Sequence, residues 1–550
     1  MSVPSVASWS ADAPPPGTWI LLSDHFPRSL TPEYTRLYVS TFGPTQAATY
    51  ARYGVPFKGL IPAIIDGHLY LGPVPLIGRA GASTPPRPLL WLATRLHPAF
   101  RRRRATARAV LRDRPWRDEV HVWRNELRPL WTRANLALQA VDPGALDDEA
   151  LTRHLRRCQA NAEEGYRTHF MLHGPDLFAT GLLLARGADF GLVPKDLLAA
   201  LVGDSPASTG ADPDLDLVRT VVAQSGTTPT SLDEVRDLGP EIDAALDRFL
   251  LHHSWRLITS YDIDGRCLAE LPNLVLTLAT TPLPTPPVVP DVGELRNGLP
   301  PADRVEFDRL LDDARFTYGL RDDNGGITGA WTVGLLRRAM LEAGRRLHDR
   351  GQLAEVDHVV EVALDDVLGL LADGRDAAAE ISALAAARAA SSQRLPPTSL
   401  GAPMPGPQVL AVFPEPLHLM IRSQLALADG SYHGASEPLT GLGIGTSPVT
   451  GRACVARDAS DALERLRPGD VLITPSTNPA FSYALSIAGG LVVEQGGYLS
   501  HAAITARELG LPAVIGVADA LSAIPDGSLI TLEPDIGLVR RVDTAAVPRG

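Results

Sequence analysis

The stretch from Gly490 to Gly516 leaves few folds open to this chain. Gly490-Leu491-Val492-Val493-Glu494 is a short apolar run suited to a buried strand, and Gly496-Gly497 lets the backbone turn tightly behind it. Ser500 is a good N-cap residue, the spacing from His501 is helical, and Gly510 followed by Pro512 supplies a stop. Ala513-Val514-Ile515-Gly516 then reads as a second buried strand. His501 therefore stands where a strand-loop-helix unit opens.

Free amide groups and the helix dipole make such a helix start attractive to anions. An imidazole placed there can attack a phosphoryl group, carry it as phosphohistidine and release it to an acceptor. By itself, a histidine after a serine is far more often an ordinary surface residue.

The surrounding segment, Gly496-Gly497-Tyr498-Leu499-Ser500-His501-Ala502-Ala503-Ile504-Thr505-Ala506-Arg507-Glu508-Leu509-Gly510, resembles the phosphohistidine, or mobile, domain of the phosphoenolpyruvate-utilising enzymes. That family includes phosphoenolpyruvate synthase, pyruvate phosphate dikinase and rifampicin phosphotransferase. Pro468-Gly469-Asp470-Val471-Leu472-Ile473-Thr474-Pro475 and Thr477-Asn478-Pro479-Ala480 resemble the strand and loop that open the family's domain, although many relatives have aspartate where Asn478 stands. Ile524 through Leu532 is similar to its closing hairpin. The resemblance implies that His501 is the phosphorylated residue, with Gly496, Gly497, Ser500, Thr505 and Arg507 forming the loop and helix around it.

A length of 550 residues exceeds what one core usually organises, and a hydrophobic content of 45% can fill several. The formal charge of -12 argues against general nucleic-acid binding, which needs basic surface. No apolar run approaches the roughly 18 residues of a membrane span and the N-terminus lacks a signal pattern, so no membrane partner and a cytoplasmic location are expected. Cys158, Cys267 and Cys454 are widely separated, without metal-ligand or disulfide spacing. Lys58 and Lys195 are the only lysines, and neither has the Gly-Lys-Ser/Thr setting of a P-loop. Gly441-Leu442-Gly443-Ile444-Gly445 reads as a turn rather than a dinucleotide loop, because Pro448 and Gly451 follow and no helix opens. His252 with His253, and His169 with His173 at i and i+4, read as ordinary helix histidines, so no metal is assigned.

The expected fold class is multidomain α+β, a largely helical body followed by a C-terminal α/β phosphohistidine swivelling domain. Residues 1–17 read as a disordered leader, 18–87 as an α/β segment with a hairpin at Asp66-Gly67, and 88–394 as a helical substrate-binding body. Residues 395–440 read as a linker whose prolines and glycines suit a hinge, and 441–545 as the mobile domain. The cluster Arg101-Arg102-Arg103-Arg104 reads as a solvated helix face, or alternatively as a docking surface for an acidic partner.

Within the body, the blocks holding Arg256, Asp262 and Asp264, and Arg315 through Arg346, resemble the helical acceptor-binding region of rifampicin phosphotransferase and its relatives. Arg256, Asp262 and Arg337 are thus candidates for substrate contacts, with buried ion pairs tying helices together the alternative for Arg256, Asp262 and Asp264. Arg321, Asp322 and Asp323 precede Asn324-Gly325-Gly326, read as a flexible loop. Arg321 is a candidate to hold an anionic group, and Asp322 or Asp323 to deprotonate an acceptor hydroxyl.

Nothing ahead of the module resembles an ATP-grasp domain, and few residues follow it for a phosphoenolpyruvate barrel. The expected function is a phosphotransferase component. A separate ATP-grasp protein would supply the phosphoryl group from ATP with Mg2+, and a small hydroxylated acceptor would receive it from His501. Two alternatives stay open: His501 as general acid/base of a nucleotide-independent dehydratase or isomerase, and a non-catalytic scaffold.

Overall fold

The computed structural model describes residues 8–23, 25–79, 85–205, 212–283, 291–394, 396–404, 406–428, 438–498 and 500–542. Two compact units emerge, and neither is a continuous stretch of chain. The first comprises Met1–Leu182, Tyr261–Asp264 and Asn324–Gln424; the second comprises Leu183–Ser260, Gly265–Asp323 and Leu425–Gly550. The helical body expected over 88–394 is thereby shared between them.

The first unit holds a five-stranded sheet in the order β1-β3-β4-β2-β5, with β1 Ser8–Trp9, β2 Thr18–Leu21, β3 Phe57–Ile65, β4 His68–Pro75 and β5 Ser399–Gly401. Strands β3 and β4 form the hairpin read from the sequence, turning on Asp66 (φ 47°) and Gly67 (φ 82°). Strand β1 lies parallel to β3, so the described part of the expected leader, residues 8–17, contributes to the sheet. Residues 1–7 lie outside the described residues. Strand β5 pairs with β2 and the helix Leu417–Ala428 follows it, so much of the expected linker is regular structure.

Helix Pro32–Tyr53 opens on Thr31, whose side chain accepts from the Tyr34 amide, and closes on Gly54 in the left-handed region. Its Tyr34, Tyr38 and Phe42 pack edge-to-face against Tyr166 and Phe170 of the helix Asp148–Asp189. The Asn324-Gly325-Gly326 stretch is not a loop. Asn324 ends a short helix, and Gly325–Ala330 forms a π turn leading directly into helix Trp331–Asp349. Ile327, Thr328 and Gly329 are buried in that turn, and packing of this kind overrides the local permissiveness of paired glycines.

The second unit is built on a seven-stranded sheet in the order β12-β11-β7-β8-β9-β10-β6. Its strands are β6 Leu442–Ile444, β7 Val449–Val455, β8 Val471–Thr474, β9 Gly490–Val493, β10 Ala513–Ile515, β11 Leu529–Glu533 and β12 Leu538–Arg541. Strands β7, β8, β9 and β10 run parallel, whereas β6 and β11 pair antiparallel at the two sides. The wholly buried runs of β8, β9 and β10 suit a parallel sheet covered on both faces. Gly441–Gly445 is not a turn: Leu442–Ile444 forms the short strand β6, paired with β10, and only Gly445 (φ 92°) bends the chain beyond it.

One sheet face packs Ala453, Val471, Ile473, Val492 and Val514 against Ile530 and Leu532. The other buries Leu472, Leu491, Val493 and Ile515 under Leu485, Ala502 and Ala506. That second core continues without a break into Leu215, Val218, Leu246, Phe249 and Leu278 of helices Pro213–Ser225, Pro240–His253 and Pro272–Thr280. Helices that the sequence assigned to the body thus share a hydrophobic core with the α/β module. Among the described residues, no helix is long and apolar enough to cross a membrane.

Candidate functional site

The chain leaves β9 at Val493 and turns at Gly496, whose φ of 143° is costly for any residue with a side chain. A Cβ there would also stand 2.9 Å from Ser500 Oγ. Ser500 closes the turn by donating from its amide (3.1 Å) and hydroxyl (2.9 Å) to the Gly497 carbonyl, while its hydroxyl oxygen accepts from the Ala503 amide at 3.3 Å. Helix His501–Leu509 follows, with Gly510 in the left-handed region at its end. Arg507, partly buried and with its pKa lowered by desolvation, donates to the Tyr498 carbonyl at 2.7 Å and ties the loop to the helix. The strand-turn-helix reading and the N-cap role of Ser500 both agree with this geometry.

His501 is the first helical residue and is partly exposed. Its Nδ1 lies 3.1 Å from Thr477 Oγ1 and its Nε2 lies 3.1 Å from Thr505 Oγ1. A neutral imidazole offers one N–H and one lone pair, and a hydroxyl can match either, so the two threonines fix the ring plane in both tautomers. Both threonines are buried, which holds them in place. Asn478 caps the next turn by accepting from the Ala480 amide at 3.0 Å, a task open equally to the aspartate of many relatives. Thr477, on the loop after β8, lies in the segment that resembles the family's opening loop, where its spacing alone assigns it no role.

Arg321, Asp322 and Asp323 belong to the same compact unit as His501, and Asp322 stands near Glu508 at the other end of its helix. Glu508 accepts from the Gly203 amide at 3.0 Å, Ser205 Oγ donates to Asp322 at 3.4 Å, and Arg321 lies 3.8 Å from Asp322. Burial, with Asp204 and Asp322 nearby, raises the Glu508 carboxyl to about 7. Burial likewise raises Asp322, with Arg321 opposing. At 1.5 Å per residue, Glu508 lies about 10 Å along the helix from His501. The Asp323 amide donates to Gly319 at 3.1 Å within a helical turn. No local signal marks Glu508, because its neighbours are distant in the chain.

Arg256 follows a buried relay in which His253 bonds Asp212 through Nε2 and Tyr483 through Nδ1, each at 3.1 Å. Burial first, and Arg256 second, lower His253 to about 4, so the ring is neutral near pH 7.

Asp262 and Arg337 fall in the first unit. Asp262 is buried, accepts from the Thr31 amide (2.7 Å) and hydroxyl (2.5 Å) and from the Ile263 amide (2.6 Å), and has its pKa raised by that burial. Arg337 donates to the Ile263 carbonyl at 3.0 Å, and Asp264 receives Arg388 at 2.8 Å. These bonds fix the Tyr261–Asp264 segment within the unit.

Residues 466–537 match the family described as PEP-utilising enzyme, mobile domain. The region around His501 is thus a module of the phosphoenolpyruvate-utilising type. Among curated proteins, the chain is 42% identical over 99 residues to a pyruvate kinase of Lactobacillus delbrueckii subsp. bulgaricus, covering 18% of this chain and 17% of that protein. It is 40% identical over 99 residues to a phosphoenolpyruvate synthase of Aeropyrum pernix, covering 18% and 12%. A longer likeness, 31% over 219 residues, joins it to an uncharacterized protein of Mycobacterium tuberculosis, covering 39% and 22%. The chain therefore spans less than a quarter of the length of these relatives. The matched segment includes His501, Thr477 and Thr505.

Proposed function

We propose that the chain is a phosphotransferase component in which His501 receives a phosphoryl group from a separate ATP-grasp protein and passes it to a small hydroxylated acceptor. A ring nitrogen attacks the terminal phosphorus of ATP, and the bond to the ADP oxygen breaks as the P–N bond forms. The acceptor oxygen then attacks phosphorus, the P–N bond breaks, and the hydroxyl proton leaves to a base. ATP and Mg2+ act at the partner, where the metal neutralises phosphate charge. The observation that carries the reading is the partly exposed His501 ring at a helix start, held by Thr477 and Thr505.

Donor and acceptor chemistry each need in-line approach, so movement of the carrier belongs to the proposal. The core shared by the sheet and helices 213–280 supports their moving together with His501. Glu508 accepts from the Gly203 amide and nearby Ser205 donates to Asp322, which supports a role for Asp322 in bracing the loop at the far end of the carrier helix, with Arg321 tempering the charge there.

The test mixes the purified chain with a separately purified ATP-grasp protein and [γ-32P]ATP. Acid-labile, alkali-stable label is expected on the chain and absent from His501→Asn. Equal labelling of that variant overturns the proposal, as does turnover of an acceptor without any nucleotide, which selects acid/base use of His501.

A further inference from the structure

In the first unit, well outside the phosphohistidine module in sequence, two histidines face each other on one helix. His169 and His173 stand at i and i+4 of helix Asp148–Asp189, the spacing that puts two rings on one face one turn apart. Their Nε2 atoms are 3.0 Å apart, and both side chains are partly exposed. On the far side of His169, Nδ1 lies 2.6 Å from Asn324 Oδ1. Asn324 is fully buried and leads into the π turn Gly325–Ala330, so its position is set by the backbone rather than by solvent. A hydrogen in place of a side chain at Gly325 leaves room for the ring, since a Cβ would stand 3.2 Å from His169 Cε1.

We propose that His169 and His173 form an open two-imidazole site for a divalent transition-metal cation such as Zn2+ or Ni2+. Three observations carry it. First, metal–imidazole bonds of about 2.0–2.1 Å at right-angled to tetrahedral bite angles put two nitrogens roughly 2.9–3.4 Å apart, and the observed separation falls in that interval. Second, Asn324 presents its carboxamide oxygen to His169, which places the proton of that ring on Nδ1 and leaves the Nε2 lone pair directed at His173. An outer partner on the remote nitrogen is what orients metal-bound histidines generally. Third, the pair adjoins a π turn, an irregularity that recurs at functional sites.

Among the described residues, no group of three or more His, Cys, Asp or Glu side chains gathers as a metal site. The ion would therefore keep positions for water or for an oxygen or nitrogen ligand from solution, as open sites do and closed structural ones do not. Imidazole selects zinc, nickel and cobalt over magnesium, which demands oxygen.

The probe is the metal alone, titrated into the full chain after chelator treatment and followed by calorimetry. One equivalent of Zn2+ or Ni2+ is expected to bind with micromolar affinity, and Mg2+ to give no heat. His173→Gln and His169→Gln are each expected to weaken binding at least tenfold, and Asn324→Ala several-fold. Because a buried asparagine change can disturb folding, Co2+ added to the unaltered chain supplies a second reading. Visible absorption bands of nitrogen-ligated cobalt should appear, and should vanish in His169→Gln/His173→Gln. Absence of binding by the unaltered chain, or the same isotherm from the double variant, overturns the site and leaves a hydrogen-bonded pair bracing two helical turns. His501→Asn should bind metal normally, which keeps this test separate from that of phosphoryl transfer.

Discussion

Replacing Glu508 by glutamine should make the chain more stable at pH 8 and erase part of its pH dependence. The carboxyl rises from an ordinary value of 4.5 to about 7, first because burial strips it of water and then because Asp204 and Asp322 stand near. The folded state therefore holds this proton more tightly than the unfolded chain does. Below about pH 4.5 both states are protonated and the group's full contribution is present; between there and 7 the unfolded chain ionises first and stability falls. At 1.36 kcal/mol per unit, a rise of about 2.5 units amounts to about 3 kcal/mol lost by pH 8. Glutamine keeps an oxygen for the Gly203 amide, which Glu508 now accepts at 3.0 Å, and cannot ionise. Urea unfolding of parent and Glu508→Gln at pH 5, 6, 7 and 8 isolates the effect, since other titrating groups largely cancel in the difference. The variant should gain on the parent steadily across that range. Parallel stability curves, or a variant less stable at pH 8, would show that Glu508 sits comfortably ionised and that the burial argument is wrong.

Thr505→Val removes the hydroxyl at His501 Nε2 while preserving shape, and should slow phosphoryl labelling of His501 with a stability change of about 1 kcal/mol or less; unaltered labelling kinetics would show that this contact does not position the ring. Gly496→Ala forces a side chain onto a φ of 143° and toward Ser500 Oγ, costing about 1–3 kcal/mol, and a melting temperature equal to the parent's would contradict the strain argument. Asp262→Ala leaves the Thr31 amide and hydroxyl and the Ile263 amide without their buried acceptor, so a loss of about 2–4 kcal/mol should appear in thermal unfolding of the first unit; an unchanged transition would count against the tie.

What the sequence disclosed was whatever its local chemistry dictates. The apolar runs at β9 and β10, the tight turn at Gly496, the cap at Ser500 and the left-handed stop at Gly510 all lie within one short segment, where neighbours decide conformation. The Asp66-Gly67 hairpin was legible for the same reason. By contrast, Asp262 meets Thr31 across 231 residues of chain, and Glu508 meets Gly203 across 305. No pattern of spacing encodes such pairings. Asn324-Gly325-Gly326 misled because paired glycines favour a loop only while nothing packs on them, and Ile327 and Trp331 bury that turn.

The interleaving of the two units sets an order on biosynthesis. Met1–Leu182 leaves the ribosome first, yet Tyr261–Asp264 and Asn324–Gln424 of the same unit arrive only after much of the second unit has been synthesised. Strand β2 must wait for β5, and Thr31 for Asp262, before either is satisfied. A fragment ending near residue 182 should thus emerge incomplete, prone to recruiting chaperones, and the chain is expected to mature as a whole after its release.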